Sequence, residues 1–273
     1  IYNFSWIFKS VLYASYNSIL LIPIIINLQN LILNKKYLFI SKNGKTGKNK
    51  QNTILIITYI SKKFNAFWEE NILNGVRIVG TGSYKPKNVV KNDDFKKIIE
   101  TSDEWIRTRT GITERHMSSG EATFFMGAEA AKDAIAEAGI DPSEIGLIIF
   151  STVTPDYLTP SMACMVQREI GADGAMALDV NCGCTGFAYS FDMARRYLAT
   201  DDDIKYALII GAENLSKILD FEDRATCILF GDGAGAAIVS RADTMYAGFY
   251  GADGKGGSVL CAENFRPNNP FMD

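Results

Sequence analysis

Histidine is nearly missing from this chain of 273 residues: His116 is the single one. Beyond Cys182 and Cys184 there is no second close cysteine pair, so the four-ligand spacing of a zinc site is absent and no metal is expected. Cysteine itself is sparse, five residues at irregular spacing. That is not a secreted disulfide framework, and it points to a reducing compartment. No Gly-Lys-Ser/Thr accompanies the glycine-rich run at residues 230–240, so close backbone packing rather than nucleotide binding is expected there. Gly44-Lys45-Thr46 fails as a phosphate loop because Phe39 stands where the first glycine belongs. Gly80 and Gly82 lack the third glycine that would open a helix, which excludes a dinucleotide fingerprint.

Charge of one sign is also missing from part of the chain. Residues 1–74 hold nine lysines, no arginine and only Glu69 and Glu70 as acids, a balance of +7. Residues 75–273 hold 19 basic and 29 acidic residues, a balance of -10. A mildly acidic body argues against general nucleic-acid binding. The two parts are different kinds of sequence, and we expect a boundary at 74/75. Within the first part, residues 11–33 are uncharged and long enough to raise a membrane span. Pro23, Asn17, Asn27, Gln29 and Asn30 interrupt them, so a membrane partner is not expected. Residues 34–52 read as a basic linker. No methionine precedes Met117. A plastid-type leader, a membrane anchor and upstream AT-rich DNA read in frame compete for this segment. The abrupt change of composition favours the third, with a true start near Leu73.

What is present centres on Asp179-Val-Asn-Cys-Gly-Cys-Thr-Gly-Phe187. Residues 174–180 form a short apolar run that reads as a buried strand, and residues 187–198 carry apolar side chains at helical spacing. Cys184 therefore falls where a strand turns into a helix, with Gly183 and Gly186 permitting a sharp turn. The first helical amides lack partners, and the dipole there stabilises a thiolate by up to about 2 kcal/mol. Those amides could also hold the oxyanion of a thioester under attack. Two readings stand side by side: a nucleophile, or a small apolar filler at a buried turn. Cys182 competes from the strand side of the same turn.

Elsewhere the body alternates strands and helices. Strands are expected from Val76, at residues 146–153, at 204–210 and after the glycines at 230–236. Residues 211–214 should turn out of the third of these. Helices are expected at 93–99 with Asn92 as cap, from Thr101, at Thr123–Ala138 ended by Gly139, and up to Ile170 with Ser161 as cap. Such alternation gives an α/β domain with a mainly parallel sheet. Residues 106–116 are dense in arginine beside Trp105. They suit a planar phosphorylated ligand through forked hydrogen bonds and stacking, or else form a solvated surface turn.

Gly80-Thr-Gly-Ser-Tyr84, Thr101-Ser-Asp-Glu-Trp-Ile106, Arg109-Thr-Gly-Ile-Thr-Glu-Arg-His116, the Cys184 stretch, Asp223-Arg224 and Phe230-Gly-Asp-Gly-Ala-Gly-Ala236 together resemble the β-ketoacyl-acyl-carrier-protein synthase III family. The resemblance runs in order from about Val76 to about Pro270. It implies a thiolase-like α/β fold of layered αβαβα architecture, of which residues 75–273 would be mainly the N-terminal half. It implies an acyltransferase that starts type II fatty-acid synthesis. The acyl group passes from acyl-coenzyme A to a cysteine, and malonyl-acyl carrier protein then condenses onto it with loss of carbon dioxide.

Matched residue by residue, the resemblance makes Cys184 the nucleophile. Trp105 and Arg224 would sandwich the adenine of coenzyme A, with Thr101 beside it and Arg109 on its phosphates. Thr159 would reach into the acyl pocket of a partner subunit, and its small size leaves room for a primer longer than acetyl. Acyl carrier protein and a second copy of the chain are the implied partners, the cytoplasm is the implied compartment, and no cofactor is implied. Cys182-Gly183 stands where the family commonly has Ala-Ala or Gly-Ala. The family's decarboxylating histidine and asparagine belong to its second half, and His116 is not their counterpart. Half an active site is therefore expected here. A non-catalytic truncated membrane or interaction protein is the alternative.

Overall fold

The computed structural model describes residues 75–262. The boundary at 74/75, the leader, anchor and upstream-DNA readings, and the start near Leu73 fall outside these residues.

Strand β4 (Ile145–Ser151) is the centre of the sheet. Leu147, Ile148, Ile149 and Phe150 are all fully buried, as an apolar run must be when both of its faces are covered. Strands β5 (Met176–Val180) and β6 (Tyr206–Asn214) flank it in parallel. Strand β7 (Asp232–Ala242) pairs antiparallel with β6, and β1 (Gly75–Tyr84) antiparallel with β7. The order is β1-β7-β6-β4-β5, so β7 alone runs against the other four. The expected parallel character holds for strand direction, whereas the four pairings divide evenly between the two kinds.

Alternation along β4 sorts the helices. Ile148 and Phe150 point into a core shared with α2 (Thr123–Ala138) and α3 (Met162–Ile170). Leu147 and Ile149 point to the opposite face, against Ala194 and Leu198 of α4 (Gly186–Thr200). These are three layers, helix, sheet and helix. Helix α2 lies on β1 so closely that a Cβ on Gly80 or Gly82 would come within 2.3 or 2.1 Å of the carbonyl oxygens of Ala134 and Ala130. Two of the expected helix ends, Ser161 and Gly139, fall where the sequence puts them. The Ser161 hydroxyl accepts from the Cys164 amide at 3.2 Å, and Gly139 and Gly171 end their helices with positive φ.

A smaller cluster, Phe95, Ile106, Met117, Cys227 and Ile228, packs beneath α1 (Asp103–Thr110) and the short ribbon of β2 (Val89–Lys91) with β3 (Glu114–His116). Asn92 departs from expectation here. It does not cap; the 3-10 turn Asn92–Lys97 starts at Lys91, whose amide donates to Asp94. Asn92 is instead buried, donating to Asp103 and the Ile112 carbonyl and accepting from Arg115.

Two further expectations are corrected. Strand β5 is not buried: among the described residues it is an edge strand, paired only with β4, and Met176 is 41% exposed. Residues 211–214 do not turn out of β6, because Gly211 to Asn214 remain paired with Gly235 to Asp232. Among the described residues no helix is long and apolar enough to cross a membrane.

Candidate active site

The turn carrying Cys184 is built on the ends of two parallel strands. The Thr152 amide donates to the Val180 carbonyl at 3.1 Å, which carries the β4–β5 pairing one step further. The chain then turns through Cys182, Gly183 takes a left-handed φ of 51°, and a 3-10 turn (Gly183–Thr185) runs directly into α4. A left-handed residue here favours glycine, which has no Cβ to clash. The Thr185 amide and hydroxyl both donate to the Cys182 carbonyl, at 3.2 and 2.7 Å. The Gly186 amide donates to Gly183. The amides of Gly183 and Cys184 thus lie ahead of the helical ladder, where a helix leaves its donors unpaired.

Behind the turn the packing is tight. A Cβ on Gly186 would fall 2.8 Å from that of Ser151, and the buried hydroxyls of Ser151 and Ser190 are hydrogen-bonded at 2.8 Å. Asp179, on the strand entering the turn, accepts from the amides of Met162 and Ala163 at 2.6 and 2.8 Å. Burial pushes its carboxyl up from the ordinary value, and those two amides oppose the rise. Rigid elements therefore hold the turn, yet Cys184 itself is exposed. Among the described residues the turn is therefore not a buried one.

The coenzyme A candidates gather at α1. The Arg224 guanidinium lies 3.9 Å from the Trp105 ring centroid, and that of Arg109 lies 4.5 Å away. The Ser102 hydroxyl caps α1 by accepting from the Trp105 backbone amide, which seats Trp105 in the first turn of the helix. Thr101 Oγ1 and Arg224 Nε are buried without a hydrogen-bond partner among the described residues. A planar base between Trp105 and Arg224 needs about two van der Waals spacings, ~7 Å. At 3.9 Å the two side chains are in contact, so a sandwich requires Arg224 to swing off the indole. Thr159 is exposed in the loop between β4 and α3. Trp105, Arg109 and Arg224 come together; Cys184 and Thr159 lie on other elements.

A cleft of about 500 Å³ was not anticipated from sequence. Ser118, Glu121, Asp156, Tyr157, Asn214 and Lys217 are among its lining residues, and none of the six candidate residues is. Its charges serve the fold. Asp156 caps α2 by accepting from Thr123 and Phe124, and Lys217 donates to Asp156, Thr123 and the Thr154 carbonyl. Burial alone would raise the Asp156 carboxyl, but these bonds hold it below its ordinary value. Lone charged residues, one in the loop after β4 and one in the 3-10 turn Leu215–Lys217, carried no spacing signal that could have revealed this pairing.

The comparisons with known proteins converge. A family profile described as 3-Oxoacyl-[acyl-carrier-protein (ACP)] synthase III matches residues 178–254, which include the cysteine turn. The beta-ketoacyl-[acyl-carrier-protein] synthase III of Clostridium acetobutylicum is 48% identical over 203 residues, covering 74% of this chain and 62% of that protein. The structure of 3-oxoacyl-[acyl-carrier-protein] synthase III from Aquifex aeolicus superposes with a TM-score of 0.60 at 49% identity, over 62% of this chain and 55% of that one. The Pseudomonas aeruginosa enzyme of the same name gives a TM-score of 0.66 at 32% identity, over 70% and 61%. The chain thus spans somewhat under two thirds of the relatives it matches. The thiolase-like α/β class expected from the sequence is the one these structures share.

Proposed function

We infer, from the premise that this chain belongs to the 3-oxoacyl-[acyl-carrier-protein] synthase III family, that it serves the first condensation of type II fatty-acid synthesis. Its chemistry begins at Cys184. The thiolate attacks the carbonyl carbon of an acyl-coenzyme A, and the developing oxyanion is met by the Cys184 amide at the head of the helical run. The carbon–sulfur bond to coenzyme A breaks, its thiolate takes a proton, and the acyl group stays on Cys184. Malonyl-acyl carrier protein then loses carbon dioxide, a step whose assisting histidine and asparagine the resemblance places in the family's second half and not among Cys184 and the coenzyme A residues. The electron pair left on carbon attacks the acyl carbonyl, forming the new carbon–carbon bond and releasing Cys184 as thiolate.

Trp105 and Arg224 bind the adenine, with Arg224 swinging off the indole to close over it. Thr101 supplies a hydroxyl beside the base and Arg109 a cation for the phosphates. Thr159 acts in the acyl pocket of a second copy in a homodimer. No metal or organic cofactor enters these steps, and acyl carrier protein is the partner macromolecule. We assign the cytoplasm as the compartment, in keeping with the bacterial relatives; nothing supports the plastid alternative. The non-catalytic alternative is not favoured, because the relatives carry the name of a synthase.

The single observation that carries this reading is an exposed thiol at the second residue of a helical run whose turn is locked onto β4 and β5. The test is release of free coenzyme A from acetyl-coenzyme A by the purified chain. One equivalent per chain, lost in Cys184→Ala with circular dichroism unchanged, is expected. Equal release by Cys184→Ala would overturn the reading.

A further inference from the structure

Cys182 and Cys184 share one turn and are both exposed. Two Cα–Cα steps of ~3.8 Å cap their separation at ~7.6 Å, and the turn between them shortens it towards the ~4.4–6.8 Å that a disulfide spans. Gly183 between them already holds a left-handed φ and carries no side chain to obstruct the two sulfurs. Both cysteines are free thiols. A thiol beside an exposed, helix-start cysteine is the arrangement in which a sulfenic acid is captured before it oxidises further.

We propose that Cys182 is a resolving thiol, and that Cys182 and Cys184 form a reversible disulfide when the protein meets a hydroperoxide. This rests on the reading of Cys184 as the acyl acceptor. The Cys184 thiolate takes the terminal oxygen of the hydroperoxide, the O–O bond breaks, and a sulfenic acid and an alcohol or water result. The Cys182 thiol then attacks the Cys184 sulfur, the S–S bond forms and water leaves. The peroxide is reduced by two electrons and the two thiols are oxidised. A disulfide closed across so short a loop is strained and is reopened readily by small thiols. Acyl loading stops while the bond exists, and Cys184 is spared irreversible sulfinic acid.

The purified full chain is treated with hydrogen peroxide, digested with trypsin and weighed. Cleavage after Arg168 and Arg195 puts Cys182 and Cys184, and no other cysteine, on one peptide. The expected result is that this peptide loses two hydrogens and regains them with dithiothreitol. In Cys182→Ser, and equally in Cys182→Ala, the same dose instead adds two oxygens at Cys184. Sulfinic acid at Cys184 in the unaltered chain, at the rate seen in the variants and with no disulfide, overturns the proposal. Acetyl labelling of the reduced chain keeps the two readings apart. Disulfide without label refutes only the acyl-acceptor role, and label without disulfide refutes only the resolving thiol.

Discussion

Replacing Gly82 with alanine adds one methyl group at the closest approach between helix α2 and the sheet. Its carbon would stand 2.1 Å from the Ala130 carbonyl oxygen, 2.5 Å from the Ala134 amide nitrogen and 2.7 Å from the Asp133 Cβ. The first two are backbone atoms of a hydrogen-bonded helix, so no rotamer change relieves the contact. To restore an ordinary separation of about 3.5 Å, α2 must lift by more than an ångström. Met126, Ala130, Ala131 and Ala134, all fully buried beneath it, would then lose contact. Overpacking of this kind costs ~1–3 kcal/mol where side chains can yield, and occasionally more. With two backbone atoms in the way we expect about 3 kcal/mol. At ~2–4 °C per kcal/mol for a domain of this size, the thermal midpoint should fall by roughly 6–12 °C. Circular dichroism melts measure it, with Gly211→Ala as control. At that position an added Cβ meets nothing within 4 Å, and a change within ~0.5 kcal/mol is expected. A Gly82→Ala midpoint indistinguishable from the control would refute close packing as the reason for the two glycines.

Three further outcomes follow from the structure and the proposed roles. Asp156→Asn should destabilise the fold by ~1.5–3 kcal/mol near neutral pH, the worth of charge-assisted bonds lost at Lys217 and the α2 amides. The folded carboxyl lies below its ordinary value, so its stabilisation is present above pH ~4 and is lost as pH falls through the lowered value. Denaturant midpoints should therefore differ at pH ~7 and converge in acid. Trp105→Ala should raise the Kd for coenzyme A on the order of ten- to a hundredfold, since base–aromatic stacking is worth ~1–3 kcal/mol; calorimetry that found no change would remove Trp105 from the site. Thr159→Phe should raise KM for acyl-coenzyme A substrates longer than acetyl by on the order of tenfold while sparing acetyl, as expected of a pocket losing a few methylenes of room.

Much of the fold could be read locally because its signals are local. Ser161, Gly139 and the apolar run of β4 each dictate their own element, and the structure puts the α3 cap, the α2 end and the central strand where they were expected. What escaped were long-range facts. Residues 174–180 are apolar enough for a central strand, but position in the sheet order, not composition, leaves β5 at the edge. Gly211 reads as a turn by itself and stays in a strand because β7 offers Gly235 opposite. Asn92 has a capping side chain, yet Arg115, 23 residues away in sequence, draws it into the interior. The cysteine turn was legible as strand, glycine and helix, whereas its exposure among the described residues was not. The Trp105–Arg224 contact depends on two segments more than a hundred residues apart, so only the resemblance could pair them in advance.

The central claim is that Cys184 accepts the acyl group, and mapping the site of acylation tests it most directly. The purified chain is incubated with radiolabelled acetyl-coenzyme A, digested and sequenced by mass. The account predicts one acetyl thioester, on Cys184, lost in Cys184→Ser. Acetyl on Cys182 or Cys164, or no acetyl on a folded chain that binds coenzyme A, would contradict it.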